Sequence, residues 1–113
     1  MLGTGATDMG PCINEQQLKT VMRYVEIGSD EGAELATGGR RLDKGDYAKG
    51  WFHEPTVFAD CDPAMRICQE EIFGPVAAVI PFEDEKDAMK IANDSPYGLA
   101  AAVWTREDRK SVV

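Results

Sequence analysis

The chain reads as an α/β protein containing a βαβ unit, and three stretches carry that reading. "PVAAVIPF" (residues 75–82) and "LAAAVW" (residues 99–104) are continuous apolar runs of strand length, the pattern of strands covered on both faces. Between them Asp84 stands where a helix cap belongs, and Ala88, Ile91 and Ala92 share one helical face before "NDSPYG" breaks the element. Strand, helix and strand within roughly 30 residues predict two parallel strands joined by a right-handed crossover. Such strands need helices above and below the sheet. The chain offers two well-patterned helices and a possible third starting at Arg106. The expectation is therefore a partial three-layer α/β/α sheet, a single partial domain over residues 1–113.

Residues 1–11, "MLGTGATDMGP", have no periodicity and read as a lead-in loop. Gly3-Thr4-Gly5 is not a dinucleotide fingerprint, because no strand precedes it and Asp8 holds the place of the third glycine. Asn14 with Gln17 forms the pattern of a capping box, and Leu18, Val21, Met22 and Val25 follow at helical spacing. A helix from Glu15 to about Glu31 is expected, with Gly32 as its stop. "AELATGG" predicts a short strand and a Gly-Gly turn, and "RLDKGDYAKG" a polar surface loop. In "WFHEPTVFAD" the strand formers are interrupted by Pro55, which lacks a backbone donor, so an edge or irregular strand is expected. "DPAMRICQEE" predicts one helical turn, capped by Asp62 with Pro63 at its first position. Trp51, Phe52 and Trp104 are expected in the core rather than in a stacking platform.

A net charge of −8 works against nucleic-acid binding, and the basic residues at 40–41 and 106–110 are too sparse to track phosphates. No run approaches the roughly 18 to 20 apolar residues of a membrane span, and no signal-peptide build opens the chain, so a cytoplasmic protein is expected. Cys12, Cys61 and Cys68 are odd in number and widely spaced, which suits reduced thiols. With His53 they make no metal-ligand spacing, so no metal site is assigned. Asn93-Asp94-Ser95 matches a glycosylation acceptor, but nothing in the sequence directs the chain to the modifying enzyme.

Glu70 and Glu71 precede the apolar run in "QEEIFGPV". Adjacent side chains diverge on a strand or a helix, so at most one of the pair can face a ligand. The plainest account is a solvated pair before a strand. A sharper one notes that Gly74 and Pro75 bend the chain just after Phe73, presenting an acid and an aromatic ring together. That combination suits a polyol beside a flat heterocycle.

Five stretches together, "TDMGP", "EGAELATGG", "GWFHEPTVFAD", "MRICQEEIFGPV" and "IANDSPYGLAAAVWTRE", resemble the NAD(P)-dependent aldehyde dehydrogenase superfamily in its order and at about its spacing. The resemblance runs from about Thr7 to the C-terminus and implies part of that family's catalytic domain. By that resemblance Glu71 matches the glutamate that accepts hydrogen bonds from the nicotinamide-ribose hydroxyls, and Phe73 the aromatic residue beside the nicotinamide. Glu70 becomes a structural neighbour. The implied cofactor is NAD or NADP, the implied substrate an aldehyde, and the implied assembly a homo-oligomer.

The family's reaction needs a thiolate, hydride transfer to NAD(P)+ and water activated by a carboxylate. The nucleophilic cysteine of that family lies in a Gly-Gln-x-Cys context, whereas Cys12 follows "MGP", Cys61 follows "FAD" and Cys68 follows "MRI". The Glu-Leu-Gly-Gly setting of its general base is also missing from these 113 residues. No catalytic residue is assigned, and the expectation is a piece of an aldehyde-oxidising enzyme, inactive alone. Two other readings remain: a non-catalytic module for self-association or partner binding, and a weak isolated nucleotide binder. The first gains from the incomplete sheet, whose edges and uncovered faces seek partners. The second lacks the phosphate-cradling loop that supplies much of dinucleotide affinity.

Overall fold

The computed structural model describes residues 9–106, which divide into two compact units meeting at residues 81 and 82. Most of the lead-in loop, residues 1–8, and all but the first residue of the possible helix starting at Arg106 lie outside the described residues.

The first unit begins with α1, Glu15–Asp30. The Asn14 side chain accepts from the Gln17 N–H, as the capping pattern predicts. At the far end Gly32 takes φ +95°. Its N–H reaches Ser29 O, and the Ala33 N–H reaches Gly28 O, so the last carbonyls are satisfied by a Schellman closure. Leu18, Val21, Val25 and Gly28 form the buried stripe.

Strands β1 (Glu34–Thr37), β4 (Thr56–Ala59) and β5 (Val76–Ala78) form one sheet in the order β1-β4-β5. β1 runs antiparallel to β4, with Leu35 opposite Phe58, and the register shifts between Leu35 and Thr37. β5 runs parallel to β4, pairing Thr56 with Val76 and Phe58 with Ala78. The short helix α2 (Arg66–Gln69) lies in the connection between these parallel strands. The α/β class with a parallel pair is thus present, but the pair is β4 and β5 instead of the two apolar runs.

Several local expectations change. The strand after Pro55 is central in its sheet, not an edge. Pro55 stands one residue before β4, so its missing donor costs the ladder nothing, and the Thr56 N–H reaches Pro75 O at 2.8 Å. The polar excursion is more regular than a surface loop: β2 (Arg41–Leu42) pairs antiparallel with β3 (Phe52–His53), around a 3-10 turn at Gly45–Lys49. α2 starts three residues later than Pro63, and its first N–H, on Arg66, is accepted by the Glu31 carboxylate at 3.0 Å. Asp62 instead accepts from Ala64 N, closing the turn before the helix.

The apolar run at 75–82 is covered on one side only. Val76, Ala78 and Ile80 pack against the core of Val21, Val25, Phe58, Cys61, Ile67 and Ile72, whereas Val79 is 51% exposed. Successive side chains of a strand point to opposite faces, so Val79 turns away from the core that Val76, Ala78 and Ile80 meet.

In the second unit, α3 (Glu85–Asn93) is capped by Asp84, whose side chain accepts from Asp87 N. Residues 99–104 form no strand. A strand exists only where a neighbour takes its backbone bonds, and no ladder partner meets this run among the described residues. Trp104 is accordingly 95% exposed instead of in the core, while Phe52 is buried as expected. Trp51 is half-buried, with the Arg41 guanidinium 5.5 Å above its ring.

Candidate functional site

Between α2 and β5 the segment 70–74 is tethered at every second residue, Glu70, Ile72 and Gly74, each by a different contact. The Glu70 carboxylate takes Arg66 Nε at 2.8 Å and Nη2 at 3.0 Å, and the Tyr24 hydroxyl donates to its Oε1 at 2.9 Å. Those bonds, from Arg66 first and then Tyr24, hold its carboxyl well down, at about 2. The Tyr24 hydroxyl is raised in turn, chiefly by its bond to Glu70. Glu70 therefore joins α1 to α2, the structural part its place beside Glu71 implied.

Ile72 is the second anchor, buried in the core. The third is Gly74, where a Cβ would run into Val21 Cγ2, so only glycine lets the chain pass this close to α1. Between the anchors Glu71 is exposed and Phe73 is 77% exposed. Phe73 adopts φ +57°, a left-handed conformation costing a non-glycine residue on the order of 1–3 kcal/mol. Such a conformation persists only where its surroundings dictate it. Here the Gln17 side-chain amide donates to Ile72 O at 2.9 Å and to Phe73 O at 2.7 Å.

The capping pattern pointed the Gln17 side chain back at Asn14; the structure sends it across 55 residues of sequence. No spacing rule could have found that contact. Nor did sequence reasoning single out Tyr24 or Arg66, although Arg66 and Glu70 are four apart on one helical face.

Cys61 is buried, and its thiol donates to Phe58 O at 3.6 Å. Burial, helped by the neighbouring Cys61, raises the Cys68 thiol to about 11, and burial also raises Cys12. All three thiols are free of disulfides. No group of three metal-binding side chains occurs among the described residues. His53 is buried, its Nδ1 at 2.8 Å from Glu54 O. An open groove of about 440 Å³ lies elsewhere, lined by Arg40, Arg41, Lys44, Tyr47 and Glu54 among others, and includes neither Glu71 nor Phe73. No helix among the described residues is long and apolar enough to cross a membrane.

Residues 2–112 match the aldehyde dehydrogenase family along nearly the whole chain. The chain belongs to the aldehyde dehydrogenase family. Betaine aldehyde dehydrogenase of Bacillus subtilis (strain 168) is 46% identical over 89 residues, which are 76% of this chain and 18% of that protein. Among solved structures, betaine aldehyde dehydrogenase from Staphylococcus aureus in complex with NAD+ superposes with a TM-score of 0.88 at 46% identity, covering 92% of this chain and 21% of that one. The Mycobacterium tuberculosis aldehyde dehydrogenase complexed with NAD+ reaches 0.82 at 54% identity, over 88% and 20% of the two chains. The chain therefore spans about a fifth of the length of the relatives it matches.

Proposed function

We propose that this chain forms the nicotinamide-side corner of an aldehyde dehydrogenase active site, with Glu71 accepting hydrogen bonds from the nicotinamide-ribose hydroxyls and Phe73 packing beside the ring. The observation that carries the reading is the tethered segment: two exposed side chains, an acid and an aromatic ring, alternate with three anchored residues. An exposed carboxylate can accept from two vicinal hydroxyls, each such charge-assisted bond contributing roughly 1.5–3 kcal/mol. An aromatic ring left 77% exposed gains by being covered with a flat partner. The residues present thus fit a nicotinamide nucleotide, which when bound would supply the hydride acceptor for oxidation of an aldehyde to a carboxylic acid. What this chain's own residues do is bind and orient.

Nucleophile and general base are not among these residues. Cys61 is buried, burial pushes the Cys68 thiol up to about 11, and Cys12 is raised in the same direction. The isolated chain is accordingly inactive toward aldehydes and binds NAD(P)+ weakly, since no phosphate-cradling loop accompanies the corner. The likeness to enzymes solved with NAD+ supports NAD as the nucleotide.

The test is an amide NMR titration of the chain with millimolar NAD+. Shifts centred on Glu71 to Gly74 are expected, weakened roughly tenfold or more by Glu71→Gln. Shifts elsewhere, or an unchanged response in the variant, would remove Glu71 from the cofactor site. Aldehyde-dependent NADH formation by the chain alone would overturn the statement that it is inactive.

The outer strand β5 favours a second reading, self-association, because its outer edge, without a strand neighbour among the described residues, and exposed Val79 offer a second copy both backbone bonds and apolar surface. Elution as a monomer at every concentration in gel filtration would argue against it.

A further inference from the structure

Gln17 is the third residue of α1, and the Asn14 cap holds its backbone N–H at 2.8 Å. With the helix end fixed in this way, its carboxamide reaches the loop before β5, where one nitrogen bonds two successive carbonyls, Ile72 O and Phe73 O. A primary amide nitrogen has two N–H donors, and both are engaged. Few side chains can make this clamp. Glutamate would set an acceptor against two acceptors, methionine has the length but no donor, and asparagine is one methylene short. The bonds fall on the two peptide units that flank Phe73 Cα, one before it and one after it, where the chain turns left-handed.

We propose that Gln17 is the positioning residue of the Glu71/Phe73 corner, a role resting on the nicotinamide reading above. By pinning the carbonyls of Ile72 and Phe73 it keeps the ring of Phe73 presented and sets its relation to Glu71, without itself needing to touch the cofactor. Ile72 and Gly74 anchor the segment toward the core but leave the peptide after Phe73 free to flip. Gln17 restrains that peptide.

The experiment compares the full chain with Gln17→Met, Gln17→Glu and the control Gln16→Met, whose exposed side chain lies one residue away on the same helix. Three readouts are taken: carbonyl carbon shifts of Ile72 and Phe73, amide exchange at Phe73 and Gly74, and the NAD+ response at Glu71. Both Gln17 variants are expected to move the two carbonyl signals, to speed exchange at least tenfold, and to weaken the NAD+ response severalfold, with Leu18 and Val25 signals unchanged. Gln16→Met should alter none of these. Unmoved carbonyl signals in a folded Gln17→Met chain overturn the proposal. Should the variants not fold, the unsubstituted chain still decides: side-chain amide protons of Gln17 that exchange as fast as those of Gln16 overturn it, and protected ones support it. A failure of the nicotinamide reading is told apart, because it shows as no NAD+ response in the unsubstituted chain, while the carbonyl signals are read without cofactor.

Discussion

Replacing Gly74 by alanine probes the contact that lets the candidate corner lie against α1. The added methyl collides with Cγ2 of Val21, a fully buried residue, so either the loop retreats or the helix shifts. Overpacking of this kind costs about 1–3 kcal/mol, offset by about 0.4–1 kcal/mol from the stiffer unfolded chain, for a net loss of about 1–2 kcal/mol. Val21→Ala alone removes two buried methyl groups and should cost about 2–3 kcal/mol, combining transfer and cavity contributions. The double variant is the informative one. With Cγ2 gone, the next atom the new methyl meets is Val21 Cβ at 3.6 Å, an ordinary contact, and the methyl fills part of the cavity. The pair should then cost no more than Val21→Ala by itself, a coupling of about 1–2 kcal/mol. Urea unfolding followed by circular dichroism measures it, since a slope of about 1–3 kcal/mol/M turns a loss of this size into a clear midpoint shift. Costs that add to within about 0.5 kcal/mol would refute the close approach of residue 74 to α1.

The Glu70 clasp should make stability depend on acid. Its carboxyl titrates near 4.5 when free and at about 2 in the folded chain, so the clasp stabilises fully above about pH 4.5 and is lost as pH falls toward 2. Thermal melts across that range should show a fall that Glu70→Gln reduces; identical profiles for the two chains would contradict it. The Cys68 thiol, at about 11 against an ordinary 9.0, should react with iodoacetamide about a hundredfold more slowly in the native chain than in urea. Mass spectrometry of the labelled chain measures this, and equal rates would show that the thiol is not covered.

Local signals in the sequence were sufficient for α1 and α3. Asn14 and Asp84 cap α1 and α3 where their types and spacing place them, because a cap bonds to a neighbour three residues away. Gly32 ends α1 for the same local reason, a left-handed residue that glycine adopts without cost. The "EEIFGP" segment was also readable as a corner presenting an acid and a ring, through the divergence of adjacent side chains and the bend after Phe73.

Tertiary structure decided what depends on partners distant in sequence. The cap of α2 comes from Glu31 rather than Asp62, because the compact fold brings a carboxylate 35 residues away to the first N–H of that helix. Pro55 marked a chain break but could not say on which side of it the central strand would lie. The apolar run at 99–104 has strand composition yet no ladder, since composition supplies side chains while a strand requires a neighbour's backbone. Gln17 shows the same division within one residue. Its backbone obeys the capping rule written in its own helix, whereas its side chain, free of that rule, bonds the carbonyls that packing places within reach. By itself the sequence determined the family, the caps of α1 and α3 and the candidate pair Glu71 and Phe73. Only the folded chain decided what holds that pair's backbone in place, because a hydrogen bond spanning 55 residues leaves no periodicity to read.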